Sequence, residues 1–187
     1  MSGFQLRLGR LFNQQSGRSF VTALDHAITL GVSEGNVDAL GTLQTVINGG
    51  PDAVLIGPGL LNLGGHLFAD RHAPAPILRC DVIINHPFLS PLGETYRQIA
   101  TAEYAVRLGA EAVVMFLMVG TDNQQMFKDN VDALTGMAEA AHNVGLPLIV
   151  ESVLWGSRVQ DHKDPEMLAF GARLAFELGA DIVKTEY

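Results

Sequence analysis

The chain has 187 residues, 48% hydrophobic and 17% charged, enough apolar content for a core of about one domain and too much for a disordered chain. Its net charge of −8 repels a phosphate backbone, and no run of Lys or Arg overrides that locally, which argues against nucleic acid as a partner. Cys80 is the sole cysteine, so an intrachain disulfide or a cysteine-based zinc cluster is excluded, as fits a reducing cytoplasm. Residues 1–10 lack the apolar core of a signal peptide, and no apolar run approaches the ~20 residues that span a bilayer; a cytoplasmic protein with no membrane partner is expected.

Short apolar runs alternate with helix-period segments, without a Ser/Pro/Gly linker to divide them. In chain order the pattern predicts a strand at 20–24 and a helix at 37–48, then a strand at 53–56 and a helix at 59–68. A less regular strand at 77–84 is followed by a helix at 94–108. Strands at 112–118 and 147–150 are followed by helices at 124–143 and 165–178, and a last strand covers 181–184. This βαβα order implies a parallel sheet. Three junctions, Leu108-Gly109-Ala110, Val144-Gly145-Leu146 and Leu178-Gly179-Ala180, end a helix at glycine and enter a strand within two or three residues, as a left-handed cap requires; Gly49-Gly50-Pro51 is a looser copy. A repeat of roughly 35 residues with this cap suits a TIM (β/α)8 barrel. No glycine-rich phosphate fingerprint follows the first strand, which disfavours an open dinucleotide-binding sheet. Only about six βα units are present where a closed barrel has eight, so the single domain 1–187 is expected to lack the last two.

In a barrel, chemistry sits where strands finish. Lys184 closes the last apolar strand on the face of Ile182. Among apolar side chains an ammonium loses hydration, which favours the free amine, and a free amine can attack a carbonyl to form a Schiff base. The competing reading is a strand-end lysine that reaches solvent or pairs with a carboxylate. Asp25 shares its face with Val21 and Ala23, so its carboxylate points inward near the barrel top, as a proton-transfer group or as a turn or cap residue. Glu151 shares the face of Ile149 and is an acid/base candidate, or a strand-end ion-pair partner. His26 and His86 are candidates for substrate contact; His26 has the opposite parity to Asp25 unless the strand has ended, and His86 lies in a long loop with Pro87 and Pro91. His66 and His72 bracket Asp70 and Arg71 without the spacing of a metal motif.

Four stretches together resemble one family: Leu24-Asp25-His26-Ala27, Asp52-Ala53-Val54-Leu55-Ile56-Gly57-Pro58-Gly59, Leu108-Gly109-Ala110-Glu111-Ala112-Val113 and Glu177-Leu178-Gly179-Ala180-Asp181-Ile182-Val183-Lys184-Thr185. They are similar to the DhnA-type class I aldolases, a group that includes archaeal-type fructose-bisphosphate aldolase, aminodideoxyheptulosonate synthase and the thiolase that processes phosphorylated autoinducer-2. The resemblance implies a TIM barrel, often in ring-like homo-oligomers, acting on a phosphorylated keto substrate. By position, Lys184 matches the Schiff-base lysine and Asp25 the first-strand acidic residue.

Two departures stand out. The family's proton-donor tyrosine on the fifth strand is matched by Val153, which cannot move a proton, so Glu151 is the nearest replacement. The phosphate-binding loops that follow strands seven and eight in the family have no counterpart in these residues. The first reading is a Schiff-base lyase that makes or breaks a carbon–carbon bond, with no metal or organic cofactor because the protonated imine is the electron sink. Two others stay open: a thiolase-type acyltransferase on a phosphorylated diketone, and a catalytically silent metabolite-binding barrel.

Overall fold

The computed structural model describes residues 2–83 and 87–186. Six parallel strands form the main sheet: β1 (Val21–Ala23), β2 (Ala53–Ile56), β3 (Ala75–Arg79), β6 (Ala112–Val119), β7 (Leu148–Leu154) and β8 (Ile182–Lys184), hydrogen-bonded in that order. β4 (Asp81–Ile83) and β5 (Tyr96–Gln98) make a separate antiparallel pair. The helices are α1 (Ser2–Arg10), α2 (His26–Leu30), α3 (Ala39–Asn48), α4 (Pro58–Gly64), α5 (Ala102–Arg107), α6 (Gln124–Asn143) and α7 (Pro165–Glu177). No helix among the described residues is long and apolar enough to cross a membrane.

Strand alternation divides the apolar residues into two layers. One face of the sheet, with Val54, Ile56, Leu78, Val113, Met115, Leu148 and Val150, packs beneath helix residues such as Leu43, Leu61, Leu134, Met137 and Ala175. The other face gathers Ala53, Leu55, Ala75, Ile77, Ala112, Val114 and Ile149 around Leu11, with Leu8 and Phe12 beside them. Ala23 of β1 and Ile182 of β8, the outer strands, pack against this same inner cluster, so the sheet curls into a half-barrel with α1 and the turn after it plugging one end. Such a plug is invisible to a search for signal peptides, and residues 2–10 were not expected to be helical. The helix-to-strand glycines adopt the left-handed conformation their junctions require: φ is 80° at Gly109, 71° at Gly145, 101° at Gly179 and 69° at Gly50.

The structure extends the expected strand at 147–150 to Leu154, so that Glu151 lies within β7, and its largest correction to the sequence reading lies between β3 and α5. The expected strand at 77–84 is interrupted at Cys80, and the expected helix at 94–108 is a strand followed by the short α5. Cys80 still donates its amide to Val114 O. At the next step the Asp81 carboxylate, not a backbone carbonyl, accepts the Phe116 amide (2.7 Å). The side chain thus completes the ladder of β6 while the backbone leaves it. The Cys80 carbonyl accepts from Ile99 and Ala100, which closes the β4–β5 pair, and α5 starts only where the Thr101 hydroxyl caps the Tyr104 amide.

Candidate active site

The register of the sheet sets up a row of inner-face side chains, level with the carboxyl ends of β3 and β8 and within the longer β6 and β7. Phe116 of β6 lies opposite Glu151 of β7, which lies opposite Lys184 of β8. Arg79 closes β3 on the face of Ala75 and Ile77, and its guanidinium stacks on the Phe116 ring, 3.7 Å from the centroid. Asp25 follows β1 at the N-cap position of α2, yet its side chain makes no capping hydrogen bond. It accepts from Arg79 Nε instead (2.8 Å).

Arg79 is the centre of this cluster. Its side chain is 2% exposed; Nε meets Asp25, Nη1 meets Asp81 (3.4 Å) and Nη2 meets Glu151. Burial works against the guanidinium charge, but the Asp81, Asp25 and Glu151 carboxylates outweigh it and raise the pKa above the ordinary arginine value. Glu151 bridges two cations: Oε2 accepts from Arg79 and Oε1 from Lys184 Nζ, the latter at 2.5 Å. Burial alone would raise the Glu151 carboxyl, but Arg79 and Lys184 hold it below the usual glutamate range. Asp81 behaves in the opposite sense. Fully buried, it is pushed up to about 7 by desolvation, which Arg79 and the Phe116 amide offset only in part.

The structure therefore brings Lys184, Glu151 and Asp25 together on one face, linked through Arg79. Lys184 is less secluded than expected. Its side chain is 44% exposed, and the amine is paired to a carboxylate instead of sitting bare among aliphatics. Below it, Leu11, Phe12, Phe20, Ile77 and Ile182 line an apolar cavity of about 410 Å³ that reaches Lys184.

His26 is not part of the cluster. The strand has ended by then, and His26 opens α2; its exposed side chain lines a separate cavity of about 300 Å³ with Ser33, Asn36 and Thr42. His86 lies outside the described residues. Val153 has the parity of Glu151 and packs with Ile83, Met118 and Met126, so that strand position presents methyl groups where a phenol was sought. Arg79 and Asp81 were missed by the sequence reading. Arg79 carried a signal, since it stands two residues beyond Ile77 just as Lys184 stands two beyond Ile182. Asp81 carried none, because its role depends on the chain leaving the sheet at Cys80.

Comparison with known proteins bears on the family and the fold. An uncharacterised aldolase of Saccharolobus solfataricus is 31% identical over 190 residues, covering 100% of this chain and 69% of that protein. The 2-amino-3,7-dideoxy-D-threo-hept-6-ulosonate synthase of Halobacterium salinarum is 33% identical, covering 100% of this chain and 66% of the synthase. The chain thus spans about two thirds of the length of these relatives. Among solved structures, an archaeal fructose-1,6-bisphosphate aldolase whose catalytic lysine is covalently bound to the carbinolamine intermediate superposes with a TM-score of 0.78. Its identity to this chain is 26%, over 96% of this chain and 69% of that one. The fold is that of the TIM-barrel class I aldolases, represented here by six of the strands. The family model for DeoC/LacD aldolases matches residues 20–187, most of the chain, and the chain belongs to the DeoC/LacD family of aldolases.

Proposed function

We propose that Lys184 is the imine-forming residue of a class I aldolase that cleaves or forms a carbon–carbon bond in a phosphorylated keto sugar or related ketone. One observation carries this reading: Lys184 Nζ stands on the inner face at the carboxyl end of β8, 2.5 Å from an ionised Glu151. An amine needs a base beside it to lose its proton before attack. Glu151 carries two protons in turn from nitrogen to the carbonyl oxygen, the first as nitrogen bonds to the keto carbon and gives the neutral carbinolamine, the second as the carbinolamine hydroxyl leaves as water and the iminium forms. The resulting iminium draws the electron pair of the breaking carbon–carbon bond. Asp25 accepts the proton of the substrate hydroxyl that becomes the aldehyde, then delivers one to the enamine carbon. Hydrolysis of the second imine frees the amine. The phosphate of the substrate is inferred from the relatives, which include a synthase of 2-amino-4,5-dihydroxy-6-oxo-7-(phosphonooxy)heptanoate in Streptomyces griseus. Homo-oligomer assembly is part of the same proposal, supported by Phe170 and Phe176, 58% and 61% exposed on α7; light scattering of the full-length protein tests it.

The test of the chemistry is carbon–carbon cleavage of a panel of ketose phosphates by the full-length protein and its Lys184→Met variant. Cleavage is expected from the first and none above background from the second; equal cleavage by both would sink the assignment. The apolar packing of Val153 favours keeping one second reading, acyl transfer to coenzyme A from a phosphorylated diketone. Acyl-coenzyme A among the products, without an aldehyde, would select it.

A further inference from the structure

We propose that Arg79 is a positioning residue for the chemistry at Lys184: its guanidinium holds the Glu151 carboxylate against the amine and the Asp25 carboxylate across the site, and binds no part of the substrate. The inference rests on the imine-forming reading of Lys184.

Three observations support it. First, Glu151 divides its oxygens, Oε2 to Arg79 and Oε1 to Lys184, so the direction in which its second oxygen points is set by the arginine. Second, all three nitrogens of Arg79 already face carboxylates, from Asp25, Asp81 and Glu151, and the Phe116 ring covers one face of the plane. A guanidinium so occupied has no free fork for a substrate phosphate or carboxylate. Third, the three carboxylates come from three different places in the main sheet: Asp25 follows β1, Asp81 follows β3 and Glu151 lies within β7. A planar fork with fixed donor directions reaches all three at once, whereas a lysine would offer one point charge.

Asp81 completes the device from behind. It is fully buried, with Oδ2 on the Phe116 amide and Oδ1 towards Arg79 Nη1. It steadies Arg79 through that contact. The charged groups in this constellation are thus Arg79 and Lys184 against Asp25, Glu151 and Asp81, with Cys80 and Tyr96 adjoining Asp81.

The experiment uses the full-length protein and two variants. Arg79→Lys keeps the charge and loses the fork; Arg79→Gln with Asp81→Asn loses the fork while preserving the net charge of the cluster, in case the first does not fold. Steady-state kinetics over pH are read beside a carbon-13 NMR titration of the Glu151 carboxyl, assigned with Glu151→Gln. A variant whose base is misplaced by about an ångström is expected to lose on the order of 10²-fold in kcat, with KM nearly unchanged. The acid limb of the rate profile and the Glu151 titration should move to higher pH together. A raised KM with unchanged kcat would mean that Arg79 binds substrate and would overturn the proposal. A kcat reduced only in proportion to the folded fraction, with the Glu151 titration unmoved, would make Arg79 merely structural and would overturn it too. If the unmodified protein forms no imine at Lys184, the imine reading fails, and the NMR titration still decides whether Arg79 controls Glu151.

Discussion

The inner face of the half-barrel changes character within two residues along each of several strands. Ile77 is followed by Arg79, Ile149 by Glu151, Ile182 by Lys184 and Ala23 by Asp25. The lower layers, with Leu55, Ile77, Val114 and Ile149 around Leu11, are buried and apolar. The upper layer holds five charged side chains joined by hydrogen bonds. The same backbone therefore carries two kinds of interaction, and the difference teaches how a barrel separates holding the fold from doing chemistry. Below, side chains lose water at no electrostatic cost. Above, every buried charge needs a partner, and Glu151 meets two cations at once, Arg79 and Lys184.

Substitutions test that division. The largest effect is expected from Lys184→Met: carbon–carbon cleavage falls to background while thermal unfolding stays close to that of the unmodified protein, since Glu151 keeps its pairing to Arg79 when the lysine is lost. A variant that loses its fold instead would show that the upper layer also holds the barrel together. Arg79→Met should break the division, because it strands Asp25, Asp81 and Glu151 without their cation; denaturant titration is expected to show a loss of about 3–5 kcal/mol together with loss of turnover. Leu55→Ala, 2% exposed in the lower layer, should cost about 2–5 kcal/mol and leave kcat of the folded fraction unchanged.

The pH dependence of stability separates Asp81 from Glu151. Burial pushes the Asp81 carboxyl up to about 7 in the folded protein, against about 3.9 in an unfolded chain. Between those values the native state keeps a proton that the unfolded state has released. Asp81 therefore makes stability fall as pH rises from about 4 to about 7, and no further above that. Glu151, held below the ordinary range, contributes stability that is present above the unfolded glutamate value and lost as pH falls through its folded value. Asp81→Asn should flatten the first slope and leave the second, as followed by urea unfolding across pH; an unaltered slope between pH 4 and 7 would assign it to another group. At the small end, Arg173→Ala removes an exposed i,i+4 pair with Glu177 on α7 and is expected to cost about 0.3–0.5 kcal/mol with no change in turnover.

How far the sequence shows this arrangement depends on whether a signal is local. The bounds of β2 and α6 are read directly, because apolar runs of the right length end at glycine or at a capping residue. The inward direction of Asp25, Glu151 and Lys184 follows from strand parity alone. What resists reading is the β3–β4 region. A run such as 77–84 looks like one strand, and the Asp81 carboxylate that replaces a backbone carbonyl at Phe116 is recognised only once β6 is beside it. Tyr96–Gln98 likewise become a strand by pairing with β4, a contact across the chain and not a local preference. The ion pair of Lys184 belongs to the same class: parity points the amine inward, but only the register of β7 against β8 sets Glu151 opposite it.

The most direct measurement is borohydride trapping of the full-length protein with dihydroxyacetone phosphate and a panel of ketose phosphates, followed by peptide mass spectrometry. A reduced adduct on Lys184 is the predicted result. An adduct on Lys128 or Lys163, or none from a folded protein, would contradict the assignment of Lys184 as the imine-forming residue.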